Sequence, residues 1–211
     1  MNQPLKIFLL GPQGSGKGTQ AKLLESELHI PAFSMGQLLR DEVATGSELG
    51  KEIDAVIKDG NLTSDTTAAK VLQARLAKPD AQNGYILDGY PRSLDQAKAF
   101  TFDKPTHVIV IEVPKEESVK RLSGRLTCFK CGRVYAVRDG FKAGDACPAC
   151  GGQMEVRKDD TPEAIERRLK IYDDETEPLI AVYGGQGLVR RIDGVGSVEE
   201  IHNRIVKAIE R

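Results

Sequence analysis

Two groups of residues in this 211-residue chain are spaced for chemistry. The first is Gly11-Pro-Gln-Gly14-Ser15-Gly16-Lys17-Gly18-Thr19, which fits G-x-x-x-x-G-K. Glycines so placed let backbone N–H groups turn inward around a phosphate, and a helix starting there adds partial positive charge. Lys17 supplies a mobile full charge for β- and γ-phosphates. Gly18 stands where Ser or Thr usually follows the lysine, so the hydroxyl arrives one residue late, on Thr19. The second group is Cys128-x-x-Cys131 and Cys147-x-x-Cys150, with fifteen residues between the pairs. Each pair can form one knuckle, and two knuckles make a tetrahedral S₄ site suited to Zn²⁺. Four thiolates leave no open position for substrate, so the metal expected there is structural. His29, His107 and His202 share no motif, and no Ser/His/Asp or Cys/His set is recognisable.

These residues need elements to position them. Leu5–Leu10 reads as a strand running into the glycine loop, and Gly16–Leu28 as the helix after it. Pro31–Ser34 is extended, and a helix begins over Gly36–Ala44. Asp65–Leu76 is helical, Tyr85–Leu87 is a short strand ending at Asp88, and Leu94–Phe100 is helical. Thr106–Val113 is the clearest buried strand, followed by a helix over Lys115–Leu122. Thr161 and Pro162 open a helix to Tyr172 as N-cap and first residue. Leu188–Ile192 is a last strand and Val198–Ile209 a terminal helix. Strands alternating with helices predict an α/β fold with a parallel sheet covered on both faces. Thr127–Val156 breaks the rhythm. It holds all four cysteines and no helical period, and reads as an inserted module with its own staple. Asp88 ends a buried strand where a crevice opens in such a sheet. A carboxylate there can orient the waters that Mg²⁺ keeps around itself.

Composition narrows the partners. Hydrophobic residues make up 40% and charged residues 29%, which argues against disorder and against a membrane bundle. Thirty basic residues face thirty-one acidic ones, so no global field draws the chain to nucleic acid or anionic lipid. Anion binding must then come from a local cluster of cations. The apolar run in MNQPLKIFLL is too short for a signal peptide, and no stretch reaches the length of a membrane span. Together with four clustered cysteines, this predicts a cytoplasmic protein.

Several motifs in one order resemble the adenylate kinase family. Gly14-Ser-Gly-Lys-Gly-Thr-Gln20 is similar to its phosphate loop. Ile30-Pro-Ala-Phe-Ser34-Met-Gly-Gln37-Leu-Leu-Arg40 resembles the start of its monophosphate site. Leu87-Asp-Gly-Tyr-Pro-Arg92, followed by Gln96, resembles its Asp-Gly-Phe-Pro-Arg motif. Gly132-Arg-Val-Tyr135 resembles part of its mobile lid. Arg157-Lys-Asp-Asp160 and Arg168 resemble its hinge and catalytic arginine. The two cysteine pairs resemble the zinc-bearing, long-lid bacterial subgroup.

The resemblance implies a P-loop kinase performing ATP + AMP ⇌ 2 ADP with Mg²⁺, acting as a monomer with no nucleic-acid or membrane partner. Its five-stranded core spans residues 1–33, 64–124 and 160–211. A monophosphate-binding module spans 34–63, and a zinc-stapled lid spans 125–159. By the same resemblance Gly14, Ser15, Gly16, Lys17, Gly18 and Thr19 hold ATP phosphates. Arg121 lies against the ATP adenine, Val134 and Tyr135 help cover that nucleotide, and the Gly196 carbonyl meets its base. Ser34, Arg40, Asn61, Leu62, Thr63, Gly89, Tyr90, Pro91 and Arg92 line the AMP site, and Gln96 reads its adenine. Lys17, Asp88, Arg92, Arg125, Arg157 and Arg168 gather at the transferred phosphoryl group. Gln37 stands where the family usually has Asp, and Tyr90 where it usually has Phe.

The residues give the physical reason for so many cations. Phosphoryl transfer is mostly alignment and neutralisation of spread negative charge, and arginine suits it through its planar fork and permanent charge. Arg121 and Arg125 share a helix face if the helix continues through Gly124. Asp159 and Asp160 read either as partners of lid arginines or as a solvated hinge. The rival readings are a kinase for UMP or CMP, a nucleotide switch, and a zinc ribbon that binds nucleic acid. Against the last, Lys130, Arg133, Arg138 and Lys142 are offset by Asp139, Asp145 and Glu155.

Overall fold

The computed structural model describes residues 3–58, 61, 63–157 and 159–210. Its main sheet is parallel and five-stranded, built from β1 (Leu5–Leu10), β2 (Ala32–Ser34), β3 (Gly84–Asp88), β4 (His107–Glu112) and a later strand, Val189–Asp193. β1 lies between β3 and β4, with Leu9 opposite Asp88 on one side and Ile109 on the other. The order of strands reverses about β1, so a crevice opens at its carboxyl end.

Both faces of this sheet are buried, which is why its strands read as continuous apolar runs. Alternate residues enter different cores. Phe8, Leu10, Tyr85, Leu87, Val108 and Val110 pack on one face. Ile7, Leu9, Ile86, Ile109 and Ile111 pack on the other, against α1 (Lys17–Leu28) and the C-terminal helix, Val198–Ile209.

Two parts project from this core. The first follows β2 and holds α2 (Met35–Ala44) and α3 (Glu48–Ile57) before α4 (Asp65–Leu76) returns the chain. Ser47 caps α3, its hydroxyl accepting from Gly50 N–H at 2.9 Å. The second follows α5 (Leu94–Ala99), β4 and α6 (Lys115–Ser123). It is an antiparallel sheet of β5 (Arg125–Cys128), β6 (Val134–Ala136) and β7 (Met154–Glu155), with β5 central. Its buried core is Leu126, Cys128, Cys147 and Met154.

After this come α7 (Pro162–Ile171), a π turn over Tyr172–Thr176, and α8 (Glu177–Gly185). The Val189–Asp193 strand (β8) and Val198–Ile209 helix (α9) end the described chain. Thr161 caps α7 and Ser197 caps α9 in a reciprocal box with Glu200. Two sequence readings change here. α6 stops at Ser123 and Arg125 opens β5, so Arg121 and Arg125 do not share a helix face. α8 and the π turn extend helical structure well beyond the expected end at Tyr172.

Candidate active site

A cleft of about 1590 Å³ opens at the carboxyl end of the main sheet, between the two projecting parts. That exceeds the roughly 300–1,000 Å³ of pockets for one small ligand. Its floor is the glycine loop. Gly14 has φ +83, and a Cβ there would lie 2.9 Å from the Ser118 carbonyl of α6, so no side chain fits without moving backbone. Gly18 faces Asp88, whose Oδ2 would be 3.3 Å from a Cβ at that position. Gly16 to Thr19 turn from the loop into the first turn of α1, and Ser15 is fully buried beneath them.

Lys17 is 8% exposed and folds back into the loop. Its Nζ donates to the carbonyls of Gly11 and Pro12, each at 2.8 Å, and to Ser15 Oγ at 3.4 Å. Burial pulls its pKa down to about 8; Asp88 opposes this, and Arg92, Arg125 and Arg168 add to it. The ammonium is therefore held among like charges and backbone oxygens, and an incoming polyanion relieves both.

Three arginines and two aspartates form the far wall. Arg125 holds Asp160 in a fork, Nε to Oδ2 at 2.7 Å and an Nη to Oδ1 at 2.6 Å. Arg168 donates to Asp159 and to Asp160, both at 2.7 Å. Arg157 forks onto Asp159 at 2.9 and 2.6 Å. Asp160 has no exposed side-chain surface. Burial pushes Asp159 upward, but the bonds and charge of Arg157, then Arg168 and Arg125, outweigh it and hold the carboxyl at about 2. Asp159 and Asp160 thus orient arginines, which settles between the two sequence readings of this pair. The Arg168 Nε is buried with no partner among the described residues, so that guanidinium keeps a donor unmet there.

The other side of the cleft carries Arg40 and Arg92. Arg40 donates to Gln37 Oε1 at 2.9 Å, and Gln37 Nε2 donates to Asp41 at 2.7 Å. Burial, then Arg157, lowers Arg40 to about 10, which leaves it charged at neutral pH. Arg92 donates from Nε to the Gly89 carbonyl at 2.7 Å and from its backbone N–H to Gln96 Oε1 at 2.8 Å. That engages the Gln96 oxygen and leaves its amide nitrogen. Ser34, Asn61, Thr63, Gly89 and Tyr90 line the same region. The Tyr90–Pro91 peptide is cis, and Pro91 is buried behind the cleft surface. Leu62 lies outside the described residues.

At the opposite end, Arg121 is anchored by Glu117 at 2.7 Å and donates to the carbonyl of Gly194 at 3.1 Å. Val134 and Gly196 also line the cleft. Tyr135 lines the cleft beside Val134 and is also tied into the small sheet. Its ring packs on Phe141 inside the small sheet's core, and its hydroxyl sits 3.2 Å from Cys147 Sγ.

The sequence reading missed several supports. Gln20 donates to the Val198 carbonyl at 2.9 Å and so ties α1 to the segment that carries Gly196. Thr176 Oγ1 donates to the Arg92 carbonyl at 2.7 Å from the π turn. Gln20 was visible as part of Gly-Lys-Gly-Thr-Gln; nothing local marks Thr176.

The four cysteine sulfurs lie within 4.8 Å of one another. Cys128 and Cys150 are 3.5 Å apart and Cys131 and Cys147 3.7 Å, and all four are free thiols. A tetrahedral site with Zn–S of about 2.3 Å needs sulfurs about 3.8 Å apart. The donor set and spacing fit that metal. Among the described residues, no helix is long and apolar enough to cross a membrane.

Known proteins are similar to this chain along nearly all of its length. The family model described as adenylate kinase matches residues 9–188. An adenylate kinase of Methanothrix thermoacetophila is 42% identical over 98% of this chain and 99% of its own length. One of Syntrophobacter fumaroxidans is 42% identical over 95% of this chain and 98% of its own. One of Agathobacter rectalis is 37% identical over 96% and 98%. With a match across most of its length, and a cleft built from the same motifs, the chain belongs to the adenylate kinase family.

Proposed function

We propose that this chain catalyses ATP + AMP ⇌ 2 ADP, with Mg²⁺ accompanying ATP. The observation that carries this is the convergence of Lys17, Arg40, Arg92, Arg125, Arg157 and Arg168 on one cleft large enough for two nucleotides. The bond from the γ-phosphorus to its bridging oxygen breaks, and a bond to an AMP phosphate oxygen forms. ADP leaves from one side and the new ADP from the other, so no side chain needs to form a covalent intermediate.

Gly14 to Thr19 cradle the ATP phosphates, and Lys17 exchanges its loop carbonyls for phosphate oxygens. Arg40 and Arg92 hold the AMP phosphate. Arg125, Arg157 and Arg168 neutralise the charge between the nucleotides, pre-aimed by Asp159 and Asp160. Arg121, Val134 and Gly196 receive the ATP adenosine end, and Gln96 donates its free amide to the AMP base. Mg²⁺, when bound, neutralises phosphate charge. Asp88 and Thr19 would hold it through its waters, and Gln37 would bring no charge to it.

The body divides into a core (1–33, 64–124 and 160–211), a monophosphate module (34–63) and a lid (125–159). The last two close to exclude water. Zn²⁺ on Cys128, Cys131, Cys147 and Cys150 staples the lid. The proposed enzyme acts as a monomer. A coupled ADP-production assay with AMP, GMP, CMP and UMP, each with ATP and Mg²⁺, tests the reading. AMP should be the best acceptor by a wide margin. A preference for UMP or CMP would reassign the base, and no turnover with any of them would overturn the activity.

A further inference from the structure

Lys22 borders the cleft beside the groups just described, and it joins two parts far apart in sequence. It lies on α1, in the turn after the phosphate-loop residues. Its Nζ donates to the Cys131 carbonyl at 3.0 Å. The acceptor belongs to the first cysteine knuckle, which two backbone hydrogen bonds close. Gly132 N–H donates to Cys128 O at 2.8 Å and Cys128 N–H to Arg133 O at 2.9 Å. The turn at Gly132, with φ +68, brings the knuckle tip down on the core. A Cβ there would stand 3.8 Å from Lys22 Nζ and 3.9 Å from Gln37 Oε1. That same Gln37 oxygen accepts from Arg40 at 2.9 Å. The knuckle tip therefore meets the phosphate-loop helix and the helix of Arg40 together.

We propose that Lys22 is a positioning residue that latches the Cys128–Cys131 knuckle onto α1 and holds the nucleotide cleft shut. The ammonium needs no carboxylate for this. A knuckle closed by its own backbone bonds offers the Cys131 carbonyl as an acceptor, and a long flexible stem lets Lys22 reach it. The latch stands on geometry alone; its kinetic consequence rests on the phosphoryl-transfer reading.

The test uses the full zinc-loaded chain with Lys22→Met, which keeps the stem, and Lys22→Arg, which keeps a donor. Amide hydrogen exchange over residues 129–134 is followed without nucleotide. Lys22→Met should speed it about three- to tenfold, the effect of one charge-assisted bond, and Lys22→Arg should restore much of the protection. The KM for ATP should rise by a similar factor with kcat not reduced. Unchanged exchange in Lys22→Met overturns the latch. Faster exchange throughout the chain reduces Lys22 to general stability and also overturns it. Faster local exchange with an unchanged KM overturns its hold on the cleft. A wild-type chain that does not turn over ATP and AMP would instead sink the activity reading, and the exchange result would still decide the latch.

Discussion

Lys17 carries a charge that the fold makes costly. Burial is the largest cause of its lowered pKa, with three arginines adding to it against Asp88, and the value falls to about 8. Phosphate oxygens favour the ammonium, so nucleotide binding raises that pKa again. Between the free and bound values, binding must take up a proton. At pH 9 the calorimetric heat of ATP binding should therefore vary with the ionisation enthalpy of the buffer, with uptake approaching one proton. Near pH 7 Lys17 contributes only about a tenth of a proton, and ATP affinity should fall as pH rises above 8. A buffer-independent heat at pH 9 would contradict this account of the loop. Thr127 makes a different case. Its Oγ1 is buried and has no partner among the described residues, on a residue 6% exposed. Replacing the hydroxyl by a methyl removes an unmet polar group at similar shape. Thr127→Val should thus raise stability by about 1 kcal/mol, read as a higher urea midpoint.

Among the elements, the hinge is where charge replaces packing. Asp160 links Arg125 on β5 to Arg168 on α7 with no exposed carboxylate surface. Asp160→Asn leaves two buried guanidiniums short of a counter-charge, and should cost about 3 kcal/mol in urea unfolding. A loss within error would show that the arginines find other partners. This network also marks what the sequence could reveal. The glycine loop was legible because its chemistry is local, and β1 was read at its observed limits, Leu5–Leu10. The carboxylate that gathers Arg125 and Arg168 was not, because the pairing forms only when β5 and α7 meet. α8 was hidden by Pro178 near its start and by Gly184 and Gly185 at its end; burial of Leu179, Ile180 and Tyr183 overrides those signals. The lid strands are two to four residues long, too short for a period. The side to which Tyr135 turns follows from its pairing with Leu126, a register set by contacts outside the strand.

Across the whole molecule, stability is divided unequally, and function uses the division. The main sheet buries residues 7–10 of β1 and 108–111 of β4 between two apolar clusters. Among the described residues, the buried hydrophobic core of the lid is Leu126, Cys128, Cys147 and Met154, two of which are candidate metal ligands. So little core does not order some thirty residues by itself, and a closed tetrathiolate site would supply the difference. Elemental analysis of the purified chain should find about one zinc per molecule, the stoichiometry of a single four-cysteine site. Removing it with a chelator should act on one part alone. Amides over residues 127–156 should lose exchange protection while those of β1 and β4 keep theirs, because no lid residue packs in the main clusters. ATP should bind more weakly, since Arg125 and Val134 lie on lid strands, whereas Arg40 and Arg92 should still hold AMP. Equal weakening for both nucleotides, or protection lost throughout the main sheet, would mean that lid and core stand or fall together. Lid closure would then be a property of the entire fold, with no separate stapled part to move.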